Sequence, residues 1–205
     1  MNRFFNPNSL LWRGFGRIAD FFILSCCWLL CCIPVLTFLP ACIALYDSVA
    51  HGLVMGENDI YPRFFRTFRS ELKRGIGLSA LWLGIAGILV LVYWLVAQYA
   101  PPGIKDVACG SYWVFALFPI SVLTWLIPIE SRFVYSFADL HKTGLAFVFA
   151  HLPITILLLG IFIAHIVALI CLPYLVMITP AIQVFLQGAI IEHVFRKCTQ
   201  DDSAS

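Results

Sequence analysis

The sequence predicts an all-α integral membrane protein: a polytopic bundle of six transmembrane helices with both termini cytoplasmic, plus one basic amphipathic helix on the cytoplasmic side. Two observations predict this class. Of the 205 residues, 61% are hydrophobic and only 12% are charged, a composition outside the range of soluble domains. The apolar residues are also gathered into runs that reach or approach the ~20 residues that a helix needs to cross the hydrocarbon core of a bilayer.

The chain divides into a lead, one transmembrane domain and a tail. Residues 1–17 are rich in aromatic and arginine side chains and predict an interfacial lead, since no cleavage site for a signal peptide follows. Residues 18–195 form a single transmembrane helical domain, and the polar residues 196–205 predict a disordered tail. The predicted spans are about 18–38, 39–55, 76–99, 112–129, 145–172 and 173–191.

The distribution of cations predicts the topology. The second span is short and carries Asp47 and His51, so its crossing needs independent support. If all six segments cross with the N-terminus inside, 12 of the 13 lysines and arginines face the cytoplasm and only Lys105 lies outside. Because positive charge concentrates on the cytoplasmic side of membrane proteins, we expect six crossings in this orientation.

A basic amphipathic helix is predicted at about 61–74. Its apolar side chains recur at helical spacing and form one stripe, with cations away from it. Such a helix anchors to anionic lipid headgroups or docks on a cytosolic partner, and nucleic acid is not expected as a ligand. The residues predicted to contact lipid or a partner are Tyr61, Arg63, Phe64, Phe65, Arg66, Phe68, Arg69, Lys73 and Arg74.

Ionisable side chains inside the spans form the candidate polar interior site. Asp47 and His51 lie one helical turn apart and are expected to hydrogen-bond each other. His151 and His165 lie fourteen residues apart in the fifth span, which places them on one face of a continuous helix. Two interpretations stay open: an interior site for a proton, ion or polar solute, or polar groups that hold the helices in register.

Small residues line one face of the third span. Gly77, Ala80, Gly84 and Gly87 recur at helical spacing, a pattern that lets another helix approach closely. We expect a packing seam there.

The cysteines and the missing motifs argue against catalysis. Cys26, Cys27, Cys31 and Cys32 cluster in the first span, but ligands from one helix cannot surround a metal tetrahedrally, and cysteine in a packed helix behaves as a small hydrophobe. No zinc-protease, nucleophile-elbow or phosphate-loop motif is present. We therefore expect no enzymatic activity, no cofactor and no metal site.

The first eighty residues contain an aromatic lead (RFFNPNSLLWRGFGRIAD), a first hairpin (IPVLTFLPACIALYD) and a Phe-rich basic loop (RFFRTFRSELKRG). In these three features the chain resembles the YesL family of bacterial membrane proteins, also called DUF624. The chain has Thr37, Phe38, Leu39 and Pro40 where the family's turn is usually glycine-rich. The resemblance implies a multi-pass protein of the bacterial plasma membrane, encoded near carbohydrate uptake and breakdown systems.

Three functions follow as expectations. The first is a non-enzymatic accessory to carbohydrate uptake that contacts the lipid bilayer and subunits of an ABC-type sugar importer. The second is a small independent transporter or channel for a polar solute or ion, which predicts a water-filled cavity at the depth of Asp47 and His51. The third is an intramembrane metal or redox protein, which requires at least three ligand-type side chains to converge.

Overall fold

A computed structural model describes the backbone of residues 10–54, 59–101, 103–133 and 135–204. Side chains are described within these ranges except at 10–15, 53–54 and 197–204. Residues 1–9 of the predicted lead, residue 55 at the end of the predicted second span and the last residue of the predicted tail lie outside the described part of the chain.

The described chain is all-helical, as predicted, and contains no strand. Three short non-α turns, at Val35–Thr37, Ala50–Val54 and Pro173–Met177, connect parts of the bundle. The α-helices are α1 (Leu10–Cys31), α2 (Phe38–Val49), α3 (Ile60–Tyr99), α4 (Lys105–Arg132), α5 (Phe137–Ala150), α6 (Leu152–Cys171) and α7 (Thr179–Ala204).

Four helical stretches of the described chain are long and apolar enough to cross a membrane, judged by length and composition: Val35–Gly52, Ile60–Tyr99, Lys105–Arg132 and Leu152–Cys171. They coincide with the predicted second, third, fourth and fifth spans. The structure therefore fits an integral membrane protein, and the six crossings and their orientation stay a prediction.

A proline and a threonine determine where α1 ends. Proline disfavours the helical conformation in the residue before it, and α1 ends shortly before Pro34. The hydroxyl of Thr37 then donates to the free carbonyl of Cys31, at 2.5 Å. This contact satisfies one of the carbonyl groups that a helix C-terminus leaves without an intrahelical partner.

The predicted fifth span is two helices rather than one. α5 ends at Ala150 and α6 begins at Leu152, so His151 lies at a break. The physical reason is Pro153, which has no N–H to donate to the carbonyl of Phe149 and whose ring conflicts with a continuous helix. The expectation that His151 and His165 share a face of one helix is therefore wrong.

The predicted amphipathic helix and third span form one continuous helix. α3 has 40 residues and is about 60 Å long at the α-helical rise. The hydrocarbon core is only about 30 Å thick, so a large part of α3 extends beyond it.

At the other end of the chain, α7 stays helical to Ala204, which differs from the disordered tail predicted for 196–205.

The short second segment is the most deeply buried element. Every residue of α2 from Leu39 to Val49 except Cys42 is buried. α2 packs against α1, α3, α4 and α7. Two hydrophobic clusters meet on it: one around Trp125, Leu126 and Leu158, the other around Leu24, Val49 and Phe64. The segment thus forms the centre of the bundle.

α3 approaches α2 closely at a glycine that the sequence did not single out. A Cβ atom at Gly75 would lie 2.8–2.9 Å from the ring carbons of Pro40. Within the expected seam, Gly77 is 3.5 Å from Phe137 by the same measure, whereas Gly84 and Gly87 have no atom of the described chain within 4 Å. The tight packing of α3 is therefore at Gly75.

Replacing Gly75 with alanine should destabilise the protein by about 1–3 kcal/mol because the added methyl group overpacks the contact with Pro40. Gly84→Ala is the matched control: it lies on the same helix in open space and should leave stability unchanged or raise it by up to about 1 kcal/mol through helix propensity. Thermal unfolding of the purified variants in detergent measures both. Equal unfolding temperatures for the two variants would contradict the close approach.

Candidate functional site

Three buried carboxylates lie at the end of the bundle that is predicted to be cytoplasmic. Asp47 is in α2, Glu130 in the last turn of α4 and Glu192 in α7, and each is at most 6% exposed. An ionised carboxylate is costly to bury unless it is paired. Each of the three contacts an arginine of another helix.

Asp47 is held by side chains of α3 and of its own helix. Its Oδ2 accepts hydrogen bonds from Nε of Arg63, at 3.0 Å, and from Oγ1 of Thr67, at 2.6 Å. Its Oδ1 lies 3.0 Å from Nδ1 of His51, so the predicted contact between Asp47 and His51 is confirmed. Both carboxylate oxygens therefore face groups of the protein itself.

The other two carboxylates join α3 to α4 and α4 to α7. Oε1 of Glu130 lies 2.8 Å from Nε of Arg74, which also donates to the backbone carbonyl of Tyr135. Glu192 accepts from Arg132 and, at 3.2 Å, from the hydroxyl of Tyr46. Together with the Asp47 contact, these ion pairs connect α2, α3, α4 and α7 at one end of the bundle.

The predicted lipid- or partner-contact residues divide into two groups. Phe64 is fully buried in the cluster with Leu24 and Val49, so it packs within the protein. Tyr61 donates to Oδ1 of Asp20 at 2.5 Å, Phe68 is half-buried against the same cluster, and Arg63 and Arg74 bind carboxylates. The residues that remain exposed, which we call the exposed basic face, are Phe65, Arg66, Arg69 and Lys73.

The four candidates for a polar interior site do not converge. Asp47 and His51 form a pair, whereas His151 stacks on Phe147 with ring centroids 5.5 Å apart. His165 lies in the wall of a separate cavity. Across the described side chains, no group of three or more His, Cys, Asp or Glu is placed to hold a metal ion.

A cavity of about 350 Å³, which we call the bundle cavity, lies among α1, α2, α4, α6 and α7. Its wall is mainly aliphatic and aromatic. Five polar side chains also line it: Tyr46, Thr124, His165, Gln183 and Gln187. The volume falls at the lower end of the range of about 300–1,000 Å³ that is typical of small-molecule sites.

Two of these features were missed from the sequence. The first is the pairing of Glu130 with Arg74 and of Glu192 with Arg132, and the second is the bundle cavity. The available signal was the presence of an acid near the cytoplasmic end of three predicted spans, with arginines in the adjoining loops. For the cavity the signal was the pair Gln183 and Gln187, one turn apart in an otherwise apolar span.

Substituting either partner of the Asp47–Arg63 ion pair should destabilise the bundle. We expect Asp47→Asn and Arg63→Gln each to cost about 2 kcal/mol, below the ~3–5 kcal/mol of a fully buried pair, because the Arg63 side chain is 28% exposed. The double variant should lose less than the sum of the two single losses. Arg66→Gln, on the exposed side of the same helix, is the control, and thermal unfolding in detergent is the measurement. If Asp47→Asn unfolds at the temperature of Arg66→Gln, the pair does not hold α3 on α2.

Comparison with known proteins finds one protein family whose model matches the first helices of the chain. Residues 21–93 match the family model DUF624, described as a protein of unknown function. No curated protein and no solved structure matches the chain. The match includes Asp47, Arg63 and Thr67, and it extends through most of α3. It confirms the predicted resemblance to DUF624 over residues 21–93.

Proposed function

We propose that this chain is a non-enzymatic accessory to carbohydrate uptake in the bacterial plasma membrane. The observation that carries the proposal is the engagement of Asp47 by Arg63, Thr67 and His51. A path for a polar solute needs an interior carboxylate that water or the solute can reach. An accessory protein needs a packed interior, and Asp47 is only 6% exposed.

The proposal includes six crossings with both termini cytoplasmic. In this arrangement the three carboxylate–arginine pairs lie together near the cytoplasmic surface, where the arginines also satisfy the positive-inside rule. The length of α3 supports the same arrangement, because its first half extends past the membrane on that side. α1 and α7 then supply the first and last crossings.

The exposed basic face is the proposed contact with a partner. Phe65 is 54% exposed although it is aromatic, and Arg66, Arg69 and Lys73 surround it with positive charge. Aromatic and arginine side chains supply most of the energy in protein interfaces. The proposed partner is a subunit of an ABC-type sugar importer that presents an acidic surface. The link to sugar uptake rests on the family resemblance.

An independent transporter is the second candidate, and the bundle cavity favours it. The cavity contains His165, an imidazole at membrane depth, and intramembrane ionisable groups often mark transport paths. The lining is mainly apolar, however, and Asp47 and His51 are not part of it. The metal or redox alternative draws no support from the described side chains, where no three ligands converge.

Changing the exposed basic face should abolish partner capture without unfolding the protein. We expect the triple variant Phe65→Ala, Arg66→Gln, Arg69→Gln to lose at least about tenfold of the importer subunits that the tagged wild type recovers from its native membrane, since interface anchors contribute ~2 kcal/mol or more each. Quantitative mass spectrometry of a pull-down in mild detergent gives the recovery.

Phe115→Ala is the matched control, because Phe115 is 74% exposed on α4 away from this face. It should recover the wild-type amount. Capture of importer subunits by the triple variant at the wild-type level would count against the docking face, and recovery of the wild-type chain alone would favour the independent transporter.

A further inference from the structure

Three hydrogen-bond donors in the wall of the bundle cavity are already used within the protein. The hydroxyl of Tyr46 donates to Glu192, and the hydroxyl of Thr124 donates to the carbonyl of Ile120 at 2.9 Å. The indole N–H of Trp28 points to the sulfur of Cys42 at 3.4 Å. The O–H and N–H donors of these groups are therefore already used and are not available to a ligand.

Three side chains on α6 and α7 keep free capacity. Gln183 and His165 have no hydrogen-bond partner among the described residues, and both line the cavity. Gln187 donates its amide N–H to the carbonyl of Leu158 at 3.3 Å, which leaves its amide oxygen available. Gln183 and Gln187 lie one turn apart on the same side of α7. An amide without a partner in an apolar cavity costs free energy, and a ligand with a hydrogen-bonding group removes that cost.

The cavity wall excludes a charged ligand. No charged carboxylate, lysine or arginine is found among the lining residues of the described chain. The nearest acid in the sequence of α7, Glu192, follows the lining residue Ile191 and is already paired with Arg132. An ion in this cavity would therefore lack a counterion, which is strongly unfavourable in a low dielectric.

The same wall excludes a free sugar. A sugar carries a hydroxyl group on nearly every carbon, and each needs a partner when it leaves water. The cavity offers three side chains with free capacity and otherwise aliphatic and aromatic surface. It matches a ligand that is apolar along most of its length with a small polar group.

We propose that the bundle cavity binds an uncharged long-chain amphiphile from the bilayer, an alcohol or monoacylglycerol-type lipid whose hydroxyl group bonds to Gln183, Gln187 and His165. The α6 side provides access from the lipid phase, because Ile166 lines the cavity and is also 40% exposed on that helix. The inference is independent of the accessory role and of the exposed basic face.

The test uses the full-length chain in liposomes and a photoreactive probe. The probe is dodecanol with an aliphatic diazirine in its chain, compared with the diazirine-bearing dodecane that lacks the hydroxyl group. After illumination, peptide mapping locates the labelled residues. We expect saturable labelling of α6 and α7 segments that line the cavity, suppressed by unlabelled dodecanol and not by sodium dodecanoate or glucose.

Two variants separate hydroxyl recognition from simple filling of space. Gln183→Leu keeps a similar side-chain volume and should weaken labelling by the alcohol about tenfold, with labelling by the alkane unchanged, because one hydrogen bond is lost. Gln98→Leu makes the same replacement at an exposed position of α3 and should change neither. Val176→Phe narrows the cavity and should reduce labelling by both probes.

Thermal unfolding of each variant distinguishes loss of the site from loss of the fold, and only variants that unfold near the wild-type temperature are compared. Labelling that never saturates, or that is equal for alcohol and alkane in the wild type, overturns the proposal because it reports bulk lipid chains only. Wild-type labelling of Gln183→Leu by the alcohol overturns it as well.

Discussion

The pairing of a buried carboxylate in α2 with arginine and threonine side chains in α3 is the interaction on which the rest of the structure depends. α2 is surrounded by four other helices, and Asp47 is only 6% exposed. An ionised carboxylate buried to this extent requires polar partners, and besides His51 these are Arg63 and Thr67 of α3. This requirement fixes the rotation of α3 about its axis: Arg63, Phe64 and Thr67 face the bundle, and Phe65, Arg66 and Arg69 consequently face away from it.

The same principle acts at Glu130 and Glu192, and it gives two roles to the arginines that are predicted to be cytoplasmic. Arg74 and Arg132 contribute to the positive charge that orients membrane proteins, and each also neutralises a buried acid on another helix. Removing one partner of such a pair leaves an uncompensated charge, so the pairs specify which helices are neighbours even if they add little net stability. On α3, the cations not used in this way are Arg66, Arg69 and Lys73, and all three are exposed.

Local regularities of the sequence predicted the helices well and their neighbours poorly. Apolar runs and their periodicity identified the helical segments, and the one-turn spacing of Asp47 and His51 predicted their contact because both lie on one helix. The Arg63–Asp47 pair joins residues of different helices, and periodicity gives the face of a helix without naming the helix opposite. The break before Pro153 could have been predicted, because proline disrupts a continuous helix. The prediction of one span over 145–172 followed the hydrophobicity of that run instead. The burial of Phe64 within the protein could not be predicted from the sequence. An amphipathic helix has the same pattern of apolar residues whether its apolar face packs against lipid or against protein.

The Asp47–Arg63 ion pair and the polar groups of the bundle cavity lie in different parts of the chain. The DUF624 region, residues 21–93, contains the central helix α2 and its paired helix α3. His165, Gln183 and Gln187 all lie beyond that region, on α6 and α7. The three carboxylate–arginine pairs join α2 to α3, α3 to α4 and α4 to α7, and none of them uses these three side chains. A ligand site needs polar groups that lack a hydrogen-bond partner within the protein. Such groups cost free energy when they are buried, so they are tolerated only where they do not determine the packing of the core. The amide of Gln183 and the amide oxygen of Gln187 meet that condition, whereas the carboxylate of Asp47, with both oxygens engaged, does not.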